Sequence, residues 1–196
     1  MGNCCESRTV DKMYETNLST GSSRGNAAGK GKRRSIVVDS SFELETADLT
    51  NIDLDIFSLS KRNTRKVTYI RLMQRMVQDN MLEVRQINAA TFQNTLETLW
   101  SSYADYNISY HNDMHCLDVA QMTFILMKTG PDSMAIQLKL SALEQFAIIM
   151  AAACHDFNHD GYNNGYHTAA ETDRFRTFGS PATQEKFHFA ESFKVI

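Results

Sequence analysis

Apolar side chains recur at intervals of three and four residues after Lys61, and this spacing predicts an amphipathic α-helix of several turns. The positions that carry the pattern are Val67, Ile70, Met73 or Gln74, Val77, Met81 and Val84. A second helix is predicted after Asn88, which is a favourable N-cap residue. Its apolar stripe consists of Phe92, Leu96, Leu99 and Tyr103, widened by Trp100. We expect these aromatic and methionine side chains to form part of a core.

Two further helices are predicted in the second half of the chain. The third covers Asn112–Lys128 and is followed by a Gly-Pro stop signal. The tetrapeptide Ser141–Glu144 has the form of a capping box, and it opens a fourth helix over Leu143–Cys154. Because this helix is apolar nearly all round, we expect it to be central and to carry His155 and Asp156 at its end. No window alternates with a period of two, so the predicted fold class is all-α.

The first 60 residues have a different character. From Ser19 to Gly31 the chain consists mainly of Ser, Gly, Thr, Asn and Ala, which bury too little surface to offset their ordering entropy. The stretch from Asp39 to Asp55 mixes acidic with scattered apolar residues, and the sequence leaves open whether it docks on the domain. We therefore predict a largely disordered tail over residues 1–60 and a helical domain over residues 61–196.

Composition and charge exclude several function classes. The 196 residues are 42% apolar, which suits one domain and a tail, and the formal net charge of -3 gives no basic field for nucleic acid. No apolar run is long enough to cross a bilayer and no secretory signal pattern is present, so an intracellular, cytoplasmic protein is expected. The four cysteines form no disulfide framework, and Cys116 and Cys154 are expected to be buried thiols.

The extreme N-terminus carries a candidate lipid anchor. Gly2, Cys4 and Cys5 resemble a myristoylated glycine followed by palmitoylated cysteines, but Glu6 stands where the pattern has Ser or Thr. An unmodified terminus therefore remains the alternative. Two acyl chains would hold the protein at a membrane surface, and the basic residues between Arg24 and Arg34 would add attraction to anionic lipid.

Four of the six histidines fall into two compact groups. His111 and His115 are four residues apart, a spacing that places both on one helix face. His155, Asp156 and His159 directly follow the apolar helix. Imidazoles and carboxylates in one small volume are the donors that divalent metals prefer. A metal site is favoured over a structural hydrogen-bond network, because burying these polar groups without a cation is costly.

The order and spacing of two motifs resemble a known family. The motifs are Tyr110-His111-Asn112-x-x-His115-x-x-Asp118-Val119 and His155-Asp156-x-x-His159-x-Gly161-x-x-Asn164. A weaker third match is Gln184-Glu185-Lys186-Phe187-His188, where Lys186 replaces the family's asparagine. Together they are similar to the class I cyclic nucleotide phosphodiesterases of the HD superfamily of metal phosphohydrolases. The resemblance extends from about Val67 to Ile196.

This resemblance implies part of an all-α, HD-type catalytic domain that acts in signal transduction. The domain would hold two divalent metal ions, a zinc and a magnesium or manganese, and would hydrolyse the 3′ ester of a cyclic nucleotide substrate, cAMP or cGMP. The metal ligands that the family pattern implies are His115, His155 and Asp156. The general acid implied is His111. The groups implied to surround the metals or line the pocket are His159, Asn164, Glu185 and His188.

The resemblance also implies that one more ligand aspartate, and the glutamine and phenylalanine that hold the purine, follow Ile196. We therefore expect this chain to hydrolyse cyclic nucleotides very slowly. Two other interpretations remain, namely another HD-superfamily phosphohydrolase and a non-catalytic regulatory or anchoring fragment. The sequence does not separate cAMP from cGMP preference and sets no oligomeric state.

Overall fold

The computed structural model describes residues 40–78, 87–104 and 108–196, with side chains from residue 43 onward. Every regular element in these ranges is a helix, which confirms the predicted all-α class. The helices are α1 (Ser40–Thr46), α2 (Ile56–Asn63), α3 (Arg65–Gln78), α4 (Ala89–Tyr103), α5 (Asp113–Lys128), α6 (Met134–Gln137), α7 (Ala142–Cys154), α8 (Asn164–Ala169), α9 (Asp173–Phe178) and α10 (Thr183–Ser192).

Side-chain caps determine where the longer helices begin. The Asn88 side chain accepts a hydrogen bond from the Thr91 amide at the start of α4. At the start of α7, the Ser141 hydroxyl accepts from the Glu144 amide while the Glu144 carboxylate accepts from the Ser141 amide. Both caps were expected from residue type and spacing, since they satisfy amides that have no partner within the helix.

Helix α1 lies before Lys61, the predicted start of regular structure, and α2 begins five residues before it. Leu44 and Leu49 are buried, and the backbone carbonyl of Leu44 accepts a hydrogen bond of 2.7 Å from Arg75 of α3. The Gln121 amide of α5 donates to the Leu49 carbonyl at 3.3 Å. The described part of the acidic stretch therefore docks on the core. Its helices are too short to establish a periodic pattern, which is why the sequence alone did not reveal them.

The described core is centred on α5, which packs against α3 and α7. Its most completely buried side chains include Tyr69, Leu72, Met73, Met76, Leu117, Phe124, Met127 and Ile149. The C-terminal half of α7 is central, as predicted, because Ile149 and Ala153 are fully buried. Its N-terminal half is not, since Leu143 is 64% exposed. The all-round apolar pattern therefore predicted the burial of only part of this helix.

A buried charge joins three helices at the start of α5. The Asp113 carboxylate is fully buried, and it accepts hydrogen bonds from the Arg65 guanidinium of α3 and, at 3.0 Å, from the Trp100 indole of α4. An acidic group at the first position of a helix also interacts favourably with the helix dipole. Because His111 and His115 flank Asp113 in the chain, this contact fixes the part of the fold that carries them.

Helices able to span a membrane, judged by their length and apolar content, do not occur in the described part of the chain. The predicted linker, the basic cluster and the acylation motif of Gly2, Cys4 and Cys5 lie outside the described residues. Met81 and Val84, the last positions of the first predicted helix pattern, also lie outside them.

Candidate metal centre

Asn112 positions the two histidines of the first motif. Its side-chain oxygen accepts hydrogen bonds from the amides of Met114 and His115, at 3.1 and 3.4 Å, and so caps α5. Its side-chain nitrogen donates to the Ile108 carbonyl at 3.2 Å. This asparagine thus ties the preceding loop to the helix. His115 lies in the first turn of α5, and His111 lies just before the helix.

The second motif begins where α7 ends. His155 is the C-cap residue, and its Nδ1 lies 2.8 Å from the Ala152 carbonyl, which can only accept a hydrogen bond. Nδ1 therefore carries a proton, and in the neutral ring Nε2 has the lone pair that a metal would accept. Tyr103 holds the next residue, because its hydroxyl donates to the Ala153 carbonyl at 3.0 Å and accepts from the Asp156 amide at 3.2 Å.

Three donor atoms of the two motifs meet in one small volume. The Nε2 atoms of His115 and His155 are 3.2 Å apart, and Asp156 Oδ2 lies 3.4 and 3.1 Å from them, respectively. Ligand atoms that share one zinc lie roughly 3–3.5 Å apart, since zinc bonds to nitrogen and oxygen are about 2.0–2.2 Å long. The donor set therefore fits a divalent metal in both chemistry and spacing.

Asp156 also faces a second group of imidazoles. His159 and His188 offer ring nitrogens that lie, together with an Asp156 oxygen, within 4.8 Å of one another. His188 Nδ1 donates to the Phe157 carbonyl at 2.6 Å, which leaves its buried Nε2 without a hydrogen-bond partner 3.8 Å from Asp156 Oδ1. A buried acceptor without a partner is costly, and a bound cation or water would satisfy it.

His111 belongs to neither of these two donor groups. Its ring stacks on that of His159 with centroids 3.9 Å apart, and its Nε2 lies 3.9 Å from Asp156 Oδ2. Its side chain is 37% exposed, so it stands at the open side of the cluster. The first motif therefore supplies one residue inside the metal-binding geometry and one beside it.

The remaining candidate residues line a pocket of about 280 Å³ above this cluster. The side-chain nitrogen of Asn164 donates to the Glu185 carboxylate at 2.9 Å, and its oxygen accepts from the Gln184 amide at 2.7 Å. The start of α8 is thereby joined to the start of α10. Asp156, His159, Glu185 and His188 thus face one cavity.

Burial and charge set the protonation of the cluster. Burial raises the pKa of Asp156, but the contact with His155 and the other imidazole charges outweigh it and hold the pKa at about 2. Burial and the charge of His111 lower the pKa of His159 to about 4. Burial also lowers the pKa of His115 and His188. Burial also acts to lower the pKa of His155, but the contacts with Asp156 and the Ala152 carbonyl outweigh it and raise this pKa. A metal binds the ionised carboxylate and neutral imidazoles, so an ion would compete with a proton at His155.

The two internal cysteines lie in the core as buried thiols. Burial raises the pKa of Cys116 to about 12 and that of Cys154 to about 11. Cys116 donates to the Ala153 carbonyl at 3.3 Å, and so supports the end of α7 next to Tyr103. Neither thiol belongs to a donor group within the described residues.

Several residues around the site carry no sequence signal that reveals their position. In the sequence, Tyr103 is indistinguishable from the other apolar positions of α4. In the structure, its hydroxyl forms hydrogen bonds with the backbone of Ala153 and Asp156. His167 is 2% exposed, with Nδ1 2.8 Å from the Thr172 hydroxyl and Nε2 3.4 Å from Asp160. A lone histidine in a short helix is indistinguishable, by sequence, from a surface residue.

Comparison with known proteins agrees with the resemblance of the motifs. Residues 110–196 match the family model described as 3′5′-cyclic nucleotide phosphodiesterase. The dual specificity calcium/calmodulin-dependent 3′,5′-cyclic nucleotide phosphodiesterase 1B of Bos taurus is 28% identical over 152 residues, which cover 76% of this chain and 28% of the relative. The 1C protein of Mus musculus is 26% identical over 150 residues, which cover 76% of this chain and 20% of the relative.

The match over residues 110–196 and the similarity to these relatives confirm the resemblance to the cyclic nucleotide phosphodiesterases that the motifs predicted. The aligned residues amount to between a fifth and somewhat over a quarter of the length of these relatives.

The low pKa of His159 predicts a pH dependence of stability in the metal-free protein. The folded state resists protonation of this ring down to about pH 4, whereas the unfolded chain binds the proton near the ordinary value of 6.5. The unfolded state therefore gains protons first, and stability should fall as the pH is lowered from about 6.5 to about 4. Urea unfolding in the presence of a chelator, followed by circular dichroism across this range, measures the slope. A His159→Gln variant should show a shallower slope, and curves parallel to those of the parent would contradict the assignment.

Proposed function

We propose that this chain carries the metal-binding part of a site that hydrolyses 3′,5′-cyclic nucleotides to 5′-monophosphates. The observation that supports this most strongly is that Asp156 lies between two groups of imidazoles, with one oxygen toward each. A carboxylate so placed can join two cations. Two cations, when bound, neutralise a phosphodiester, lower the pKa of bound water and orient an in-line displacement.

His115, His155 and Asp156 would hold the first ion, since their donor atoms have the spacing of ligands that share one metal. Zinc suits a donor set of two imidazoles and a carboxylate, and magnesium or manganese would suit a second position whose remaining ligands are water or other oxygen atoms. The Ala152 carbonyl and the Tyr103 hydroxyl hold two of these ligands in place before any ion arrives. Such pre-arranged partners raise metal affinity, because less ordering is left to the binding step.

His111 is proposed as the general acid that protonates the departing 3′ oxygen. A general acid has to reach the substrate and give up a proton, and imidazole is the side chain that most often does so. The half-exposed ring of His111 borders the pocket and lies outside both donor groups, so it is free to face a substrate. Stacking on His159 fixes the plane of the ring.

His159, Glu185 and His188 are proposed to hold water and orient it toward the phosphorus atom. Glu185 is tied to Asn164 by a hydrogen bond of 2.9 Å, and this contact lowers the pKa of the carboxyl group. His159 accepts the Gly161 amide at Nδ1, so its neutral ring presents an Nε2–H donor to the cluster. Together these residues offer both donors and acceptors around the pocket.

Metal binding by the purified chain tests the proposal without depending on catalytic rate. We expect Co²⁺ or Zn²⁺ to bind the parent, and His115→Ala or Asp156→Asn to weaken binding by at least tenfold, since each removes a ligand. His111→Ala is the matched control, because it removes a neighbouring imidazole that is no ligand. It should keep the parent affinity and lose about 10²–10⁴-fold in any metal-dependent hydrolysis. Calorimetry measures the first effect, and release of 5′-monophosphate measures the second.

Two outcomes would overturn this assignment. Metal affinity that is unchanged in both ligand variants would place the ion elsewhere. Hydrolysis of non-cyclic phosphate esters, with cyclic nucleotides untouched, would instead favour another HD-superfamily phosphohydrolase.

We also propose that the N-terminus anchors the protein at a membrane surface, because Gly2, Cys4 and Cys5 offer sites for two acyl chains. Gly2→Ala should move the protein from the membrane fraction to the cytosol in cells that acylate proteins. Gly25→Ala, a control in the same tail, should leave its partition unchanged. Equal partition of the parent and Gly2→Ala would exclude the anchor.

A further inference from the structure

The loop that follows Asp156 makes an irregular path before α8 begins. Asn158 and Gly161 both have positive φ angles, of 56° and 86°. A positive φ is disfavoured for a residue with a side chain, so the surrounding structure has to stabilise this loop. His159 lies between Asn158 and Gly161, so the position of its ring depends on the conformation of this loop.

Arg174, on α9, reaches both sides of this loop. Its Nη2 donates to the Asn158 carbonyl at 2.9 Å, and its Nε lies 3.4 Å from Asp160 Oδ2. Its Nη1 donates to the Gln184 side-chain oxygen of α10 at 2.6 Å. The guanidinium also lies 3.7 Å from the ring centroid of Phe187, which covers its face. One side chain therefore links the loop to the helix that carries Glu185 and His188.

Gln184 completes the link from the helix side. It is 4% exposed, and its side-chain nitrogen donates to Asp160 Oδ1 at 2.9 Å and to the Tyr162 carbonyl at 2.8 Å. Arginine can only donate, so the Gln184 oxygen has to face Arg174 and both of its N–H groups have to face the loop. Every hydrogen-bonding group of this amide is used, and its orientation is therefore fixed.

We infer that Arg174 and Gln184 form a clamp that positions His159 in the metal cluster. The inference rests on the proposed function for its consequence, but the clamp itself is a property of the metal-free fold. The clamp sets the distance between the loop and α10, and with it the stacking of His159 on His188, whose ring centroids are 5.4 Å apart. Both clamp residues act through the loop and are positioning residues.

The position of the His159 ring has a spectroscopic signature. Because Nδ1 accepts the Gly161 amide at 2.9 Å, the neutral ring should exist as one tautomer with its proton on Nε2. Long-range ¹H–¹⁵N correlation spectra of the metal-free chain near pH 8 report this tautomer directly. In Arg174→Met the loop should loosen, and the two nitrogen shifts of His159 should move toward an averaged value.

Two further variants make the result specific. Arg176→Met is the matched control, since Arg176 lies on the same helix with a side chain that is 67% exposed, and its ion-pair partner among the described residues is Glu171 at 4.0 Å. It should keep the parent spectrum. Gln184→Glu keeps the side-chain shape but removes both N–H donors and places a carboxylate against Asp160. It should therefore release the loop as Arg174→Met does, so the test does not depend on one variant folding.

Metal affinity connects the clamp to function. Replacing residues that hold a metal cluster in place typically weakens affinity 10–100-fold, and we expect such a loss of Co²⁺ affinity in both clamp variants but not in Arg176→Met. Unfolding midpoints measured for the same variants distinguish this loss of affinity from a general loss of stability.

A single His159 tautomer in both Arg174→Met and Gln184→Glu would overturn the clamp. So would a lowered unfolding midpoint with parent-like tautomer and affinity, because that is the result of a purely structural role. If the parent binds no Co²⁺, the proposed function fails, while the tautomer still decides whether the clamp exists.

Discussion

The site depends on one carboxylate that is held ionised among four imidazoles. Asp156 lies within 4 Å of ring nitrogens of His111, His115, His155 and His188, and its pKa is held at about 2. This arrangement brings the Nε2 atoms of His155 and His115 to 3.2 Å from one another and leaves a buried nitrogen of His188 without a hydrogen-bond partner. A protein interior tolerates such a cluster when a positive charge completes it.

The fold serves to bring this carboxylate and these rings together. Helix α5 carries His115 in its first turn, α7 delivers His155 and Asp156 at its end, and α10 presents His188 from a third direction. Contacts that are not part of the cluster hold these ends. Asp113, with Arg65 and Trp100, fixes the start of α5, and Tyr103 fixes the backbone of Asp156. The site is therefore positioned by polar contacts at helix termini, and the apolar core holds the helices themselves.

The amino-acid sequence predicted the features that depend on local chemistry. The caps at Asn88 and Ser141, the helical periodicity and the spacing of the histidine motifs follow from neighbours within one or two turns, and the structure reproduces the caps and places the motif residues together. Contacts between distant parts of the chain were not predictable in this way. Arg65 and Asp113 are 48 residues apart, and nothing in either neighbourhood marks them as partners. The clamp formed by Arg174 and Gln184 was likewise not predictable, because each residue taken alone has the sequence features of a solvent-exposed polar side chain.

X-ray absorption spectroscopy of the chain loaded with one equivalent of zinc tests the central claim most directly. The account predicts scattering from two imidazole rings with nitrogen and oxygen neighbours at about 2.0–2.2 Å, and the loss of one ring in His115→Ala. A first shell that contains sulfur at about 2.3 Å, or a spectrum without imidazole scattering, would contradict it. Either result would place the zinc on a donor set other than His115, His155 and Asp156.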